Sequence, residues 1–150
     1  MSKYWATPTW YFFHSFAEHI DEDFYKENRF KICDMLRNIC LNLPCYDCTI
    51  HAVKYTKHSL SGKYISDKES LKQYFFTFHN SVNMKTRKGV FTDYDMYKKS
   101  KLEDITKLFV NRFGGYKNSE RGFSDSLNRR TKCTELTNFL KNNSKYFRWL

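Results

Sequence analysis

Pro8 and Pro44 are the only prolines in 150 residues, and only five glycines accompany them. A chain with so few backbone breakers is poorly suited to the tight turns of a sandwich or barrel. It favours long helices with short joints. Aromatic residues alone make up 19% of the chain, enough with the aliphatics to pack one core at this length. The expected class is all-α.

Hydrophobic spacing places the elements. Thr7-Pro8 reads as a helix start, with Thr as N-cap and Pro at the first helical position. Trp10, Phe13, His14 and Ala17 follow at i, i+3, i+4, i+7, the stripe of an amphipathic helix, which should end near Asp21. A second helix is expected from about Asp23 to Leu43. Pro44 ends it and opens a third, about Cys45 to Lys57. The fourth spans about Lys68 to Lys88, with Gly89 at a C-cap position. The fifth runs from about Thr92 to Phe109. Residues 110–131 are rich in Asn, Ser and Gly and read as mobile, 134–140 as a short helix, and Tyr146 to Leu150 as an aromatic end that docks. The chain thus divides into a compact unit, 1–109, and a basic, partly mobile extension, 110–150.

Several classes are disfavoured. No apolar run approaches the roughly 20 residues that span a bilayer. Met1 to Trp10 lacks the pattern of a signal peptide, so a reducing, cytoplasmic setting is expected. The five cysteines are Cys33, Cys40, Cys45, Cys48 and Cys133, and an odd number argues against a secreted disulfide scaffold. Cys33 and Cys40 lie two helical turns, or roughly 10 Å, apart. That is too far for a disulfide without movement, so both read as buried small hydrophobes, and Cys133 as an inert thiol. Net charge is +10, and residues 111–150 hold a surplus of six positive charges. Such a tail can attract nucleic acid, an anionic membrane or an acidic partner. A solvated tail accounts for it at least as well.

Two constellations carry chemistry. Cys45-Tyr46-Asp47-Cys48 stands at a helix start, where the helix dipole and free N–H groups stabilise a thiolate and make a disulfide a good electron acceptor. The alternative is a zinc site built from Cys45, Cys48, His51 and His58 in a basic nucleic-acid-binding module, although the histidine spacing departs from the common finger pattern. His51, one turn past Cys48, could also tune its thiolate. The second constellation is His79-Asn80-Ser81-Val82-Asn83-Met84-Lys85-Thr86-Arg87-Lys88. Its polar residues interrupt an aromatic helix, and its lysines could meet a phosphate. Together these suit a nucleotide cofactor, and the absence of GxGxxG speaks against a Rossmann site.

Three blocks now stand in order: Trp10-x-x-x-His14, Pro44-Cys-x-x-Cys48, and His79-Asn80-x-Val82-Asn83-x-Lys85-x-x-Lys88. Over about residues 5 to 108 the chain resembles the Erv/ALR family of FAD-linked sulfhydryl oxidases. It looks most like the members encoded by large cytoplasmic DNA viruses. The resemblance implies a four-helix bundle with a short fifth helix, enclosing FAD and usually forming a homodimer. It assigns Cys45 and Cys48 to catalysis. Trp10, His14, His79, Asn80, Val82, Asn83, Lys85 and Lys88 fall to FAD binding, with Tyr97 or else Tyr94 packing on the adenine. No metal is implied. The implied partners are a protein dithiol, through a small thioredoxin-like carrier in viral relatives, and dioxygen, which leaves as hydrogen peroxide. Cys45 would face the incoming thiol and Cys48 the flavin. Ala6 stands where the family has a glycine, and no shuttle CxxC or second structural disulfide is evident.

Overall fold

The computed structural model describes residues 3–117 and 121–149. Seven α-helices are described: α1 (Lys3–His19), α2 (Glu22–Cys40), α3 (Tyr46–Thr56), α4 (Lys68–Lys85), α5 (Asp95–Lys98), α6 (Leu102–Phe109) and α7 (Phe123–Asn142). A π-helical turn, Val110–Gly114, follows α6, and a 3-10 turn, Ser144–Tyr146, follows α7. The class is all-α, as the scarcity of Pro and Gly implies. Helix α1 packs on α4, α5 and α6, and α2 packs on α3, α4 and α7.

The core is aromatic. Phe12 stacks on Phe109 at 4.4 Å and Phe13 on Phe75 at 4.7 Å. Each such pair adds roughly 0.5–1.5 kcal/mol beyond area burial. Gly62 lets the α3–α4 joint lie against α2, since a Cβ there would sit 2.7 Å from the Phe30 backbone nitrogen.

The structure differs from the sequence expectations in five places. Helix α2, expected to reach Leu43, ends at Cys40 with Leu41 as its C-cap, so Pro44 opens α3 without ending α2. Helix α1 starts upstream of Thr7-Pro8, with Pro8 inside it. Pro8 costs the ladder an N–H, and the burial of Trp5 against Phe113 favours continuing the helix through it. Helix α4 ends at Lys85, and Arg87, not Gly89, takes the left-handed position at φ 58°. The Arg87 N–H donates to the Met84 carbonyl and the Lys88 N–H to that of Asn83, the two bonds of a Schellman closure.

The expected fifth helix is broken in two. At the break the buried Ser100 hydroxyl bonds the Tyr97 carbonyl and Ser15 Oγ, a local bond that competes with the helical ladder. Finally, α7 occupies 123–142, far more than the short helix expected. Of the segment read as mobile, residues 118–120 lie outside the described residues. So does Leu150 of the aromatic end. The rest of that end docks: Tyr146 stacks on Phe24 at 4.2 Å, and Phe147 is buried beside Phe16 and bridges to Ile20.

Candidate functional site

Pro44 ends the α2–α3 joint, and Cys45 caps α3 from an extended backbone conformation. Three residues on, Cys48 falls one turn into the helix, which brings the two Cα atoms to 5.2 Å. Cys45 and Cys48 form a disulfide. The Cys48 N–H donates to Cys45 Sγ at 3.3 Å. A helix N-terminus therefore faces the sulfur that would carry charge on reduction. The zinc alternative is not assembled. Both cysteines are joined to each other, and no group of three or more metal-binding side chains exists among the described residues.

The disulfide opens onto a cavity of about 240 Å³ between α1, α3 and α4. Trp5, Trp10, Phe13 and Phe78 give it flat aromatic walls, and Lys85 stands at its edge. His51 also lines it, and its Nε2 is buried without a hydrogen-bond partner among the described residues. Burial foremost, then Lys85 and Lys54, holds the His51 pKa below the ordinary value, which favours the neutral ring. A buried, unpaired ring nitrogen is costly unless something in the cavity pairs with it.

A second cavity, of about 260 Å³, adjoins the first and shares Ala6, Trp10, Val82 and Thr86 with it. His79, Asn83, Lys88, Phe91 and Tyr97 are among its other lining residues. Together the two reach the range of about 300–1,000 Å³ typical of ligand pockets. The two parts differ in character, one walled by aromatics beside the disulfide, the other edged with Asn and Lys.

Behind them lies a stack of rings. Trp10 lies flat on His79 at 4.3 Å, and Tyr97 stacks on His14 at 4.5 Å. His14 Nε2 and His79 Nδ1 share a hydrogen bond of 2.9 Å. Burial, then the neighbouring His79, pushes His14 down to about 3, and burial, then Lys88, pushes His79 down to about 4. Both rings are neutral at neutral pH, so one nitrogen donates and the other accepts.

The residues singled out from sequence thus converge, with distinctions. Trp10, His79, Val82, Asn83, Lys85, Lys88 and Tyr97 line the joined cavities with Cys45 and Cys48. His14 and Asn80 do not. His14 backs His79, and the Asn80 amide is engaged by Phe91, whose N–H donates to Oδ1 at 2.7 Å while Nδ2 donates to its carbonyl at 3.2 Å. Asn80 therefore clamps the loop after α4. Tyr94 stays outside, against Phe76. Trp5, Thr9, Tyr11 and Phe91 are lining residues the sequence reading missed. Trp5 and Thr9 continue the Trp10–Phe13 stripe upstream, a signal masked by starting the helix at Thr7.

The Erv1 / Alr family model matches residues 7–103, about two thirds of the chain and every residue of the joined cavities except Trp5 and Ala6. The chain belongs to the Erv1 / Alr family. It is 28% identical over 86 residues to "Putative FAD-linked sulfhydryl oxidase 096R" of Invertebrate iridescent virus 3. That match covers 57% of this chain and 58% of the relative, so the chain spans less than two thirds of that protein's length. No solved structure matches. Residues 104–149 lie beyond the Erv1 / Alr match, and α7 among them packs on α2.

Proposed function

We propose that this chain is an FAD-linked sulfhydryl oxidase that makes disulfides in protein dithiols. The observation that carries the reading is a helix-capping disulfide opening directly onto an aromatic cavity. The residues present fit the cofactor. Flat rings suit an isoalloxazine, the unpaired His51 Nε2 suits a heteroatom at its edge, and Lys85 and Lys88 stand where phosphates could be met. Trp10, His79, Val82, Asn83, Lys85, Lys88 and Tyr97 would hold the group. His14 would fix the His79 ring and Asn80 the Phe91 loop. Bound FAD supplies a two-electron acceptor that passes electrons from a dithiol to dioxygen, giving hydrogen peroxide.

The chain's own part is thiol exchange. A substrate thiolate attacks Cys45 Sγ, the Cys45–Cys48 bond breaks, and the electron pair stays on Cys48 as thiolate. A second substrate thiolate attacks the substrate sulfur of the mixed disulfide and releases Cys45 as thiolate. The Cys48 N–H and the α3 N-terminus stabilise that leaving group. The net result is one substrate disulfide and a reduced Cys45–Cys48 pair.

We also propose the partners that the resemblance implies: a protein dithiol, directly or through a thioredoxin-like carrier, a second copy of the chain, and a cytoplasmic setting. No helix among the described residues is long and apolar enough to cross a membrane. The test is direct. The purified protein should be yellow and consume oxygen when dithiothreitol is added. A colourless protein with no thiol-dependent oxygen uptake sinks the reading.

A further inference from the structure

We propose that the segment leading into α7, beyond the family-matched stretch, positions the Cys45–Cys48 loop through Arg121, and that this guanidinium makes the disulfide a stronger oxidant. The inference rests on the redox reading of that pair.

Helix α2 ends at Cys40, and the joint to α3 leaves successive carbonyls outside the helical ladders. Three in a row, those of Leu41, Asn42 and Leu43, accept from guanidinium groups of Arg121 and Arg129. Arg121 Nη1 shares its two hydrogens among the Leu41 and Leu43 carbonyls, each at 3.5 Å, and Thr49 Oγ1, and Arg129 Nη1 donates to Asn42 at 3.2 Å. Asp125 joins the two arginines, at 3.4 Å from Arg121 and 2.6 Å from Arg129. Arg129 is 0% exposed and also donates to the Phe113 and Tyr116 carbonyls, so this end of α7 is fixed from within.

Arg121 reaches further. Its Nη1 donates to Thr49 Oγ1 at 3.2 Å, and that hydroxyl donates to the Leu43 and Cys45 carbonyls at 3.1 and 2.9 Å. A guanidinium thus stands two hydrogen bonds from the Cys45 backbone, over the first turn of α3. Asp47, within the same turn, has the opposite charge effect on a thiolate there. A cation at this place favours the reduced, thiolate-bearing pair, and a disulfide whose reduced form is stabilised is the more oxidising. Arg121 is a positioning residue, acting through Thr49 and the loop.

The experiment equilibrates the protein with glutathione: one Cys45–Cys48 disulfide and two reduced glutathiones exchange for the Cys45/Cys48 dithiol and one oxidised glutathione. Thiol alkylation followed by peptide mass mapping reads the pair apart from Cys33, Cys40 and Cys133. Arg121→Gln should lower the constant for that reduction about two- to fivefold, the size of a charge effect at a helix terminus. Arg121→Lys should recover most of it, and Thr49→Val, which cuts the relay, should shift it the same way by less. A purely structural role would lower the melting temperature and leave the constant alone. An Arg121→Gln constant equal to wild type overturns the proposal while the redox reading stands. A wild-type pair that never equilibrates with glutathione overturns both.

Discussion

His51, in the family-matched stretch, and Arg129, beyond it, both carry buried polar nitrogens, and their surroundings treat them oppositely. His51 Nε2 borders the disulfide cavity with no partner among the described residues. Arg129 is completely enclosed, and Asp125, Ser126 Oγ and the carbonyls of Phe113, Asn42 and Tyr116 take its five N–H donors. One region keeps polar capacity and volume for something that enters. The other uses its polar groups on the chain itself. The contrast holds for these two residues and not for every buried polar atom, since Tyr94 Oη and Thr106 Oγ1, away from the joined cavities, also lack partners among the described residues.

Four changes test this contrast. The largest effect is expected at the disulfide. Cys48→Ser should abolish dithiothreitol-driven oxygen uptake and leave flavin absorbance intact, and undiminished uptake would break the assignment of the first region. Next is Arg129→Leu, which removes the closer of Asp125's two arginine pairings, leaves the longer one with Arg121, and takes the donor from the Phe113, Asn42 and Tyr116 carbonyls. It should cost about 3–5 kcal/mol in urea unfolding. Adding Asp125→Leu should restore much of that loss, because the pair's desolvation is removed with it. A loss under 1 kcal/mol for the single change would deny the second region its role.

The third change is in pH. His14 and His79 titrate near 3 and 4 in the fold against an ordinary value of 6.5. Between pH 6.5 and 4 the unfolded chain therefore binds more protons than the folded one. Stability is full above pH 6.5 and is lost as pH falls towards 4, by about 1.4 kcal/mol per pH unit for each proton taken up. Urea midpoints from pH 7 to 4 would show the slope, and His79→Gln should flatten it. The smallest effect is at Arg87, a non-glycine in the left-handed region. Arg87→Gly should raise stability by about 1 kcal/mol, read as a small rise in the urea midpoint.

Much of the first region was legible in the sequence. Pro44 before a cysteine pair marks where α3 begins, with Cys45 as its cap, although α2 ends earlier, at Cys40. The polar block on α4 stands out because its neighbours are aromatic. Residues whose role depends on partners were harder to read. Asn80 looks like a ligand contact, but its amide is engaged by Phe91, 11 positions on.

The second region was nearly opaque, for a physical reason. The buried side of α7 runs Asp125, Arg129, Cys133, Leu136, Phe139 and Leu140. The spacing is helical, but a charged pair opens the stripe where apolar residues are expected. Hydrophobic periodicity cannot register a face whose burial is made possible by mutual charge neutralisation. The Gly, Asn and Ser ahead of it pointed to mobility instead.

The docked aromatic end has a further consequence, one of timing. The corner between α1 and α2 is closed by residues from the far end of the chain. The Asp21 N–H donates to the Tyr146 carbonyl, the Arg148 N–H donates to that of His19, and the Arg148 side chain donates to His19 Nδ1 across 129 positions. On the ribosome, α1 to α4 emerge long before those residues do. Contacts so distant in sequence form late and slowly. The disulfide-bearing stretch is therefore synthesised well before its opposite corner can be locked. The nascent chain passes through an interval in which the disulfide-bearing helix is made while this corner is still open.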